Sequence, residues 1–170
     1  MSSETSQCRE LLSPFCKGLG LDIGAGGDAI VPNAITMDLS QPYCPPLDSV
    51  PQILRGDCRD LSGFCDGVLS FIFSSHLIED FVYSDLVNII KEWRRVLKVG
   101  GHLVLNAPNQ KIFLEHCART GQGTNDNHKE LSFSIETFKS EVLSKTGPWK
   151  ELFRVSHAPP YSWYLVVEKL

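Results

Sequence analysis

Short apolar runs alternate with helical patterns along the chain, the mark of a βαβ fold with a parallel sheet. The first strand is predicted over 18–23 and runs into the glycine cluster Gly24-Ala25-Gly26-Gly27. A second is predicted over 34–39, and a third over 52–55, closing on Gly56-Asp57-Cys58. The fourth, over 68–73, is apolar almost throughout (Val68, Leu69, Phe71, Ile72, Phe73), as a strand covered on both faces should be. A fifth is expected over 102–106, with two more over 150–156 and 163–168. The link 157–162 is too short for a crossover, so the last pair should be antiparallel.

Between strands four and five, Leu86, Ile89, Ile90, Trp93 and Leu97 fall on one helical face, with Ser84 or Asp85 as the cap and Gly100 as the stop. Its cations Lys91, Arg94, Arg95 and Lys98 read as a solvated face rather than a phosphate patch. A second helix is expected over 135–143, capped by Ser134, with Ile135, Phe138 and Val142 facing inward. The stretch 28–33 is short and interrupted by Pro32, so one turn or a loop is expected there. The polar, glycine-rich stretch 108–133 reads as a long functional loop or lid, and 1–17 as a short N-terminal arm.

A chain of 170 residues is expected to form one domain, 1–170, and 42% hydrophobic residues supply its core. Lys and Arg number 16 against 20 Asp and Glu, a formal charge of -4 that argues against broad binding to nucleic acid or an anionic membrane. No apolar run approaches the roughly 20 residues that span a bilayer, and the polar N-terminus is expected to carry no signal peptide, so a cytoplasmic location is expected. The six cysteines show no CxxC pair and no zinc spacing with histidine, so no metal is expected and all are read as free thiols. His116 and Cys117 read as neighbours on successive faces of a short helix.

A glycine cluster after a first strand lets a ligand approach the backbone. Gly24, Gly26 and Ala29 fit the loose dinucleotide pattern GxGxxG/A, but three features point away from a pyrophosphate. Asp22 precedes the cluster and would repel it. Asp38 lies 14 residues after Gly24, whereas the dinucleotide pattern expects an acid at about 20. Asp28 adds a further negative charge where the phosphate would sit. A nucleoside with a positive centre suits these residues better. The C-terminal ends of the parallel strands converge at one sheet edge, and Asp22, Asp38 and Asp57 are all expected to point there.

Five segments, in order, resemble the class I S-adenosylmethionine-dependent methyltransferases over nearly the whole chain. They are Leu21-Asp22-Ile23-Gly24-Ala25-Gly26-Gly27; Asp38; Gly56-Asp57-Cys58-Arg59-Asp60-Leu61; the run from Phe64 to Phe81 around Ser74-Ser75-His76-Leu77-Ile78-Glu79-Asp80; and the run from Arg95 to Leu105. The resemblance implies a single-domain Rossmann-like α/β fold. It would have a seven-stranded mixed sheet, helices on both faces, the last strand antiparallel and a shortened first helix. It implies S-adenosylmethionine held by Asp22, Ile23, Gly24, Ala25, Gly26, Asp38, Leu39, Asp57, Cys58 and Ser74. In that family the counterpart of Asp38 bonds the ribose hydroxyls, and those of Asp57 and Cys58 meet the adenine. The chain departs from the family in its short 28–33 segment and in an arm too short for the helical lid many relatives carry. Acceptor recognition then falls on 108–133, on the turn after strand four, or on a second subunit, which leaves a homodimer open.

For the acceptor, His76 after strand four is the first candidate for a general base and His128 the second. The Asn/Asp-Pro-Pro-aromatic element that base-modifying relatives often carry after strand four is replaced here by Phe73-Ser74-Ser75-His76. Ala158-Pro159-Pro160-Tyr161 falls between the last two strands and reads as a turn. The segment 128–134 loosely resembles methyltransferases of sugar or other small-molecule pathways. The expectation is methyl transfer to a small molecule, with oxygen slightly ahead of nitrogen. A binding module that keeps the fold without catalysis and an NAD(P)-dependent oxidoreductase are the alternatives.

Overall fold

A computed structural model describes residues 3–39 and 54–170. Cys44, Gln52 and Ile53 lie outside them, so only the end of the expected third strand is seen. Seven strands form one sheet: β1 (Gly20–Ile23), β2 (Ile35–Asp38), β3 (Leu54–Arg55), β4 (Leu69–Ser75), β5 (Leu97–Pro108), β6 (Trp149–Ala158) and β7 (Ser162–Lys169). Their order is β3-β2-β1-β4-β5-β7-β6. β1 to β5 pair in parallel, and β7 runs antiparallel to both neighbours, β5 and β6. The helices are α1 (Glu4–Leu12), α2 (Tyr83–Val96), α3 (Gln110–Thr120) and α4 (Ile135–Glu141).

Strand alternation sorts the core into two faces. Leu21, Ile23, Ile72, Leu103, Leu105, Leu165 and Val167 pack beneath α2 and α4, together with Trp93 and Phe138. Phe71, Phe73, Val104, Tyr164 and Val166 face the other way, against Cys8 and Leu12 of α1. Both faces of β4 are therefore dry, as its apolar run requires. No helix joins β1 to β2; turns do, as the short 28–33 segment predicts. α1 covers the sheet on that side instead.

The short N-terminal arm thus holds a helix, which the sequence pattern does not show. Ser3 caps it by accepting the Ser6 N–H. An ion pair from Arg9 to Asp28 and a hydrogen bond from Ser3 to Asp28 tie it to the glycine loop. The expected long loop over 108–133 is corrected, because its first part is α3. Asn109 caps α3 by accepting from Ile112, and Gly121 ends it in the left-handed region at φ 73°. Only Gln110, Phe113 and Cys117 of α3 are buried, too few apolar positions for a clear period.

α2 starts two residues earlier than a Ser84 cap would place it and three earlier than an Asp85 cap, after Val82, with no side-chain cap. It also ends sooner, because Leu97 already pairs with Leu69 in the sheet. Gly100 lies in the irregularity that follows, at φ 75°, and stops no helix. The basic face of α2 is engaged rather than simply solvated. Arg95 donates to the Phe64 and Leu61 carbonyls and pairs with Glu92 and Asp66, while Arg94 lies over the Trp149 ring at 5.4 Å. The five described cysteines are free thiols, and burial pushes those of Cys8 and Cys58 up to about 12. Among the described residues, no helix is long and apolar enough to cross a membrane.

Candidate functional site

The carboxyl ends of β1 to β4 open into a cavity of about 640 Å³. The turn after β1 forms its floor. Gly24 and Gly26 sit at φ 73° and 55°, where a side chain is strained, and a Cβ on Gly24 would come within 3.1 Å of Leu77. The backbone can therefore approach a ligand closely here. Asp38 stands at the end of β2, and its carboxylate accepts the N–H groups of Gly26 (3.2 Å) and Leu39 (2.8 Å). These bonds fix the carboxylate beside the glycine turn with lone pairs to spare, an arrangement suited to a pair of ribose hydroxyls.

Ten of the twelve residues singled out from the sequence line this cavity: Ile23, Gly24, Ala25, Gly26, Asp38, Leu39, Asp57, Cys58, His76 and His128. Asp22 and Ser74 do not, and the pleat is the reason. Asp22 points to the α1 side of the sheet, 1% exposed, where its Oδ2 accepts the Ile30 N–H at 2.7 Å. It braces the glycine turn from behind rather than facing a ligand. Burial raises its pKa to about 7, against the opposing pull of that hydrogen bond. Ser74 pairs beside Ile23 and is equally buried, and the next residue, Ser75, reaches the cavity in its place. Asp57 is held by Arg59, whose guanidinium and backbone N–H both donate to it, so its carboxyl stays below the usual range. Cys58 contributes backbone, with its carbonyl fixed by the Trp93 indole N–H at 2.8 Å.

The two histidines meet on one carboxylate. His76 Nδ1 lies 3.4 Å from Glu79 Oε1, and His128 Nε2 lies 3.8 Å from the same oxygen. His76 Nε2 lies 3.0 Å from Ser162 Oγ and 3.5 Å from Glu4 Oε2. His128 Nδ1 is 2.6 Å from Gln110 Oε1, and its ring lies against Phe113. Burial alone would lower the pKa of His76, but the hydrogen bond and charge of Glu79, with the charges of Glu4 and Asp80, reverse the direction and raise it. Burial wins at His128, whose pKa is lowered. One environment thus moves the pKa values of two imidazoles in opposite directions.

Three residues of this group escaped the sequence reading. Glu79 carried a signal, because its i+3 spacing from His76 puts both on one side of a tight turn. Glu4 and Tyr161, whose hydroxyl donates to Glu4 Oε1 at 3.2 Å, are separated by 157 positions and carried none.

Residues 21–105, half of the chain, match the family described as Methyltransferase domain. Among curated protein sequences none matches the chain. Its fold is similar to the crystal structure of a SAM-dependent methyltransferase from Archaeoglobus fulgidus, with 16% identity, a TM-score of 0.72, and 97% of this chain and 92% of that one covered. It is also similar to the mitomycin 7-O-methyltransferase MmcR (16% identity, TM-score 0.68, 98% of this chain and 53% of that one). A third similar structure is the trans-methyltransferase CalH in complex with SAH (15% identity, TM-score 0.60, 98% and 55%). At these identities the structural likeness speaks for the fold, and the family match speaks for descent. The chain belongs to the methyltransferase domain family, whose members are S-adenosylmethionine-dependent methyltransferases.

Proposed function

We propose that the protein methylates a hydroxyl group of a small molecule, with S-adenosylmethionine as donor and His76 as general base. The observation that carries this reading is a single cavity lined both by the glycine turn with Asp38 and by His76, whose imidazole is backed by the Glu79 carboxylate. The donor would rest on Gly24 and Gly26, with Asp38 toward its ribose and Asp57 and Cys58 toward its adenine. When bound, it supplies an electrophilic methyl group on a sulfonium, whose carbon–sulfur electron pair stays with sulfur on transfer.

The protein's own part is positioning and proton transfer. With Glu79 holding a proton on His76 Nδ1, the Nε2 lone pair would take the acceptor's hydroxyl proton in place of the hydrogen bond it shares with Ser162 Oγ. The charge of Glu79 then steadies the imidazolium that results. A base of this kind favours oxygen over nitrogen as the acceptor atom. The acidic lining of the cavity supports a small molecule over nucleic acid, whose phosphates it would repel.

Calorimetric titration with S-adenosylmethionine and with NADH tests the donor. Binding of the first alone is expected, and binding of NADH in its place would overturn the reading. Donor binding without transfer to any acceptor would return the molecule to the alternative of a binding module.

A further inference from the structure

We infer that the acceptor carries an ammonium group beside the hydroxyl that is methylated, and that Glu79 and Glu4 are its docking carboxylates. This rests on reading the cavity as the transfer site. Glu79 lines the cavity with its side chain only 2% exposed. Its Oε1 lies 3.4 Å from His76 Nδ1 and 3.8 Å from His128 Nε2, while its Oε2 accepts no hydrogen bond from the protein. A buried carboxylate oxygen without a donor costs free energy, so this atom is poised for a donor brought in by a ligand.

The charge around it says which kind of donor. Glu4, Glu79 and Asp80 all line this part of the cavity near His76, each raising its pKa. The cations among the described lining residues are Arg59, which is committed to Asp57, and Lys129, which is exposed. A phosphorylated or carboxylated acceptor would be repelled by such a wall, and a neutral polyol would leave its charge unmatched. An ammonium donates up to three hydrogen bonds and balances the excess charge. The rings of Phe81, Phe113 and Tyr161 give the rest of the acceptor an apolar seat.

The test uses the full chain, tritium-labelled S-adenosylmethionine, and a deproteinised cell extract split by ion exchange into cationic, neutral and anionic pools. Label is expected in the cationic pool at about tenfold or more over either other pool, the scale of one charge-assisted hydrogen bond. Glu79→Gln, and separately Glu4→Gln, should bring that ratio toward one while donor affinity in calorimetry stays unchanged. The ratio is read rather than the rate, so a general loss of turnover through His76 does not mimic the effect. Label mainly in the anionic or neutral pool, or a ratio unmoved by both variants, overturns the inference and leaves the transfer reading intact. Label in no pool, with donor binding retained, overturns the transfer reading and this inference with it.

Discussion

His76 Nδ1 lies 3.4 Å from Glu79 Oε1, although the histidine backbone must sit at φ 51°, in the left-handed region, to put it there. Non-glycine residues in that region are strained, and such strain persists where the surroundings enforce it. Here the enforcement comes from the His76 N–H bond to the Asn106 carbonyl and from the buried carboxylate itself. Because Glu79 raises the His76 pKa above its ordinary 6.5, turnover should rise with pH through a value above 6.5. Glu79→Gln removes the largest raising influence and leaves burial opposed only by the charges of Glu4 and Asp80, so the acid limb of the kcat profile should move to lower pH.

Replacing the base separates chemistry from binding. His76→Gln keeps a polar side chain of similar reach but cannot take the proton. Its kcat should fall by about a hundredfold or more, the usual scale for a general base. Donor affinity in calorimetry should not change, and an unchanged kcat would remove His76 from the mechanism.

Asp38 is predicted to act on the donor alone. Asp38→Ala should weaken S-adenosylmethionine binding by about 1–3 kcal/mol, the scale for hydrogen bonds to a charged group. Calorimetry checks this, and unchanged affinity would exclude Asp38 from the site.

Asp22 makes a prediction about stability. Its pKa is about 7 in the folded protein against 3.8 for the free group. Between those values the native state holds a proton that the unfolded chain has released, so stability should fall as pH rises through that window and level off above it. The loss is on the order of a few kcal/mol. Asp22→Asn keeps an acceptor for the Ile30 N–H and cannot ionise, so the fall that Asp22 contributes should be missing from its denaturation midpoint over the same range.

Trp93 links the core to the site. Its indole is fully buried and donates to the Cys58 carbonyl. Trp93→Phe retains most of the packing but strands that carbonyl. Chemical denaturation should show a loss of roughly 1–3 kcal/mol, the cost of an unmet buried polar group together with the smaller ring.

Wherever periodicity was strong, the sequence was legible. The apolar run of β4, the stripe Leu86, Ile89, Ile90 and Trp93 on α2, and the Ser134 cap of α4 all follow from local pattern. α1 and the full extent of α3, of which only a short helix at His116 and Cys117 is expected, do not show in the pattern because each buries only three residues, and those dock on distant elements. The end of α2 was missed because Leu97 is claimed by the sheet, a tertiary preference that overrides the glycine stop. In the site, residues in the glycine turn and at strand ends were found from their spacing. Asp22 and Ser74 were assigned to the cavity because spacing along a strand does not tell which face a side chain takes.

The order of apolar runs, turns and acids along this chain was enough to set an α/β sheet with a glycine turn and acids at one edge, because each of those features acts over a few neighbouring residues. The pairing of two histidines on Glu79, the reach of Glu4 from an N-terminal helix, and the turning of Asp22 away from the ligand were decided only by folding. Glu4 and His128 reach His76 and Glu79 from distant segments, and the face that Asp22 takes is set by how its strand lies in the sheet, so local sequence carries no record of these outcomes.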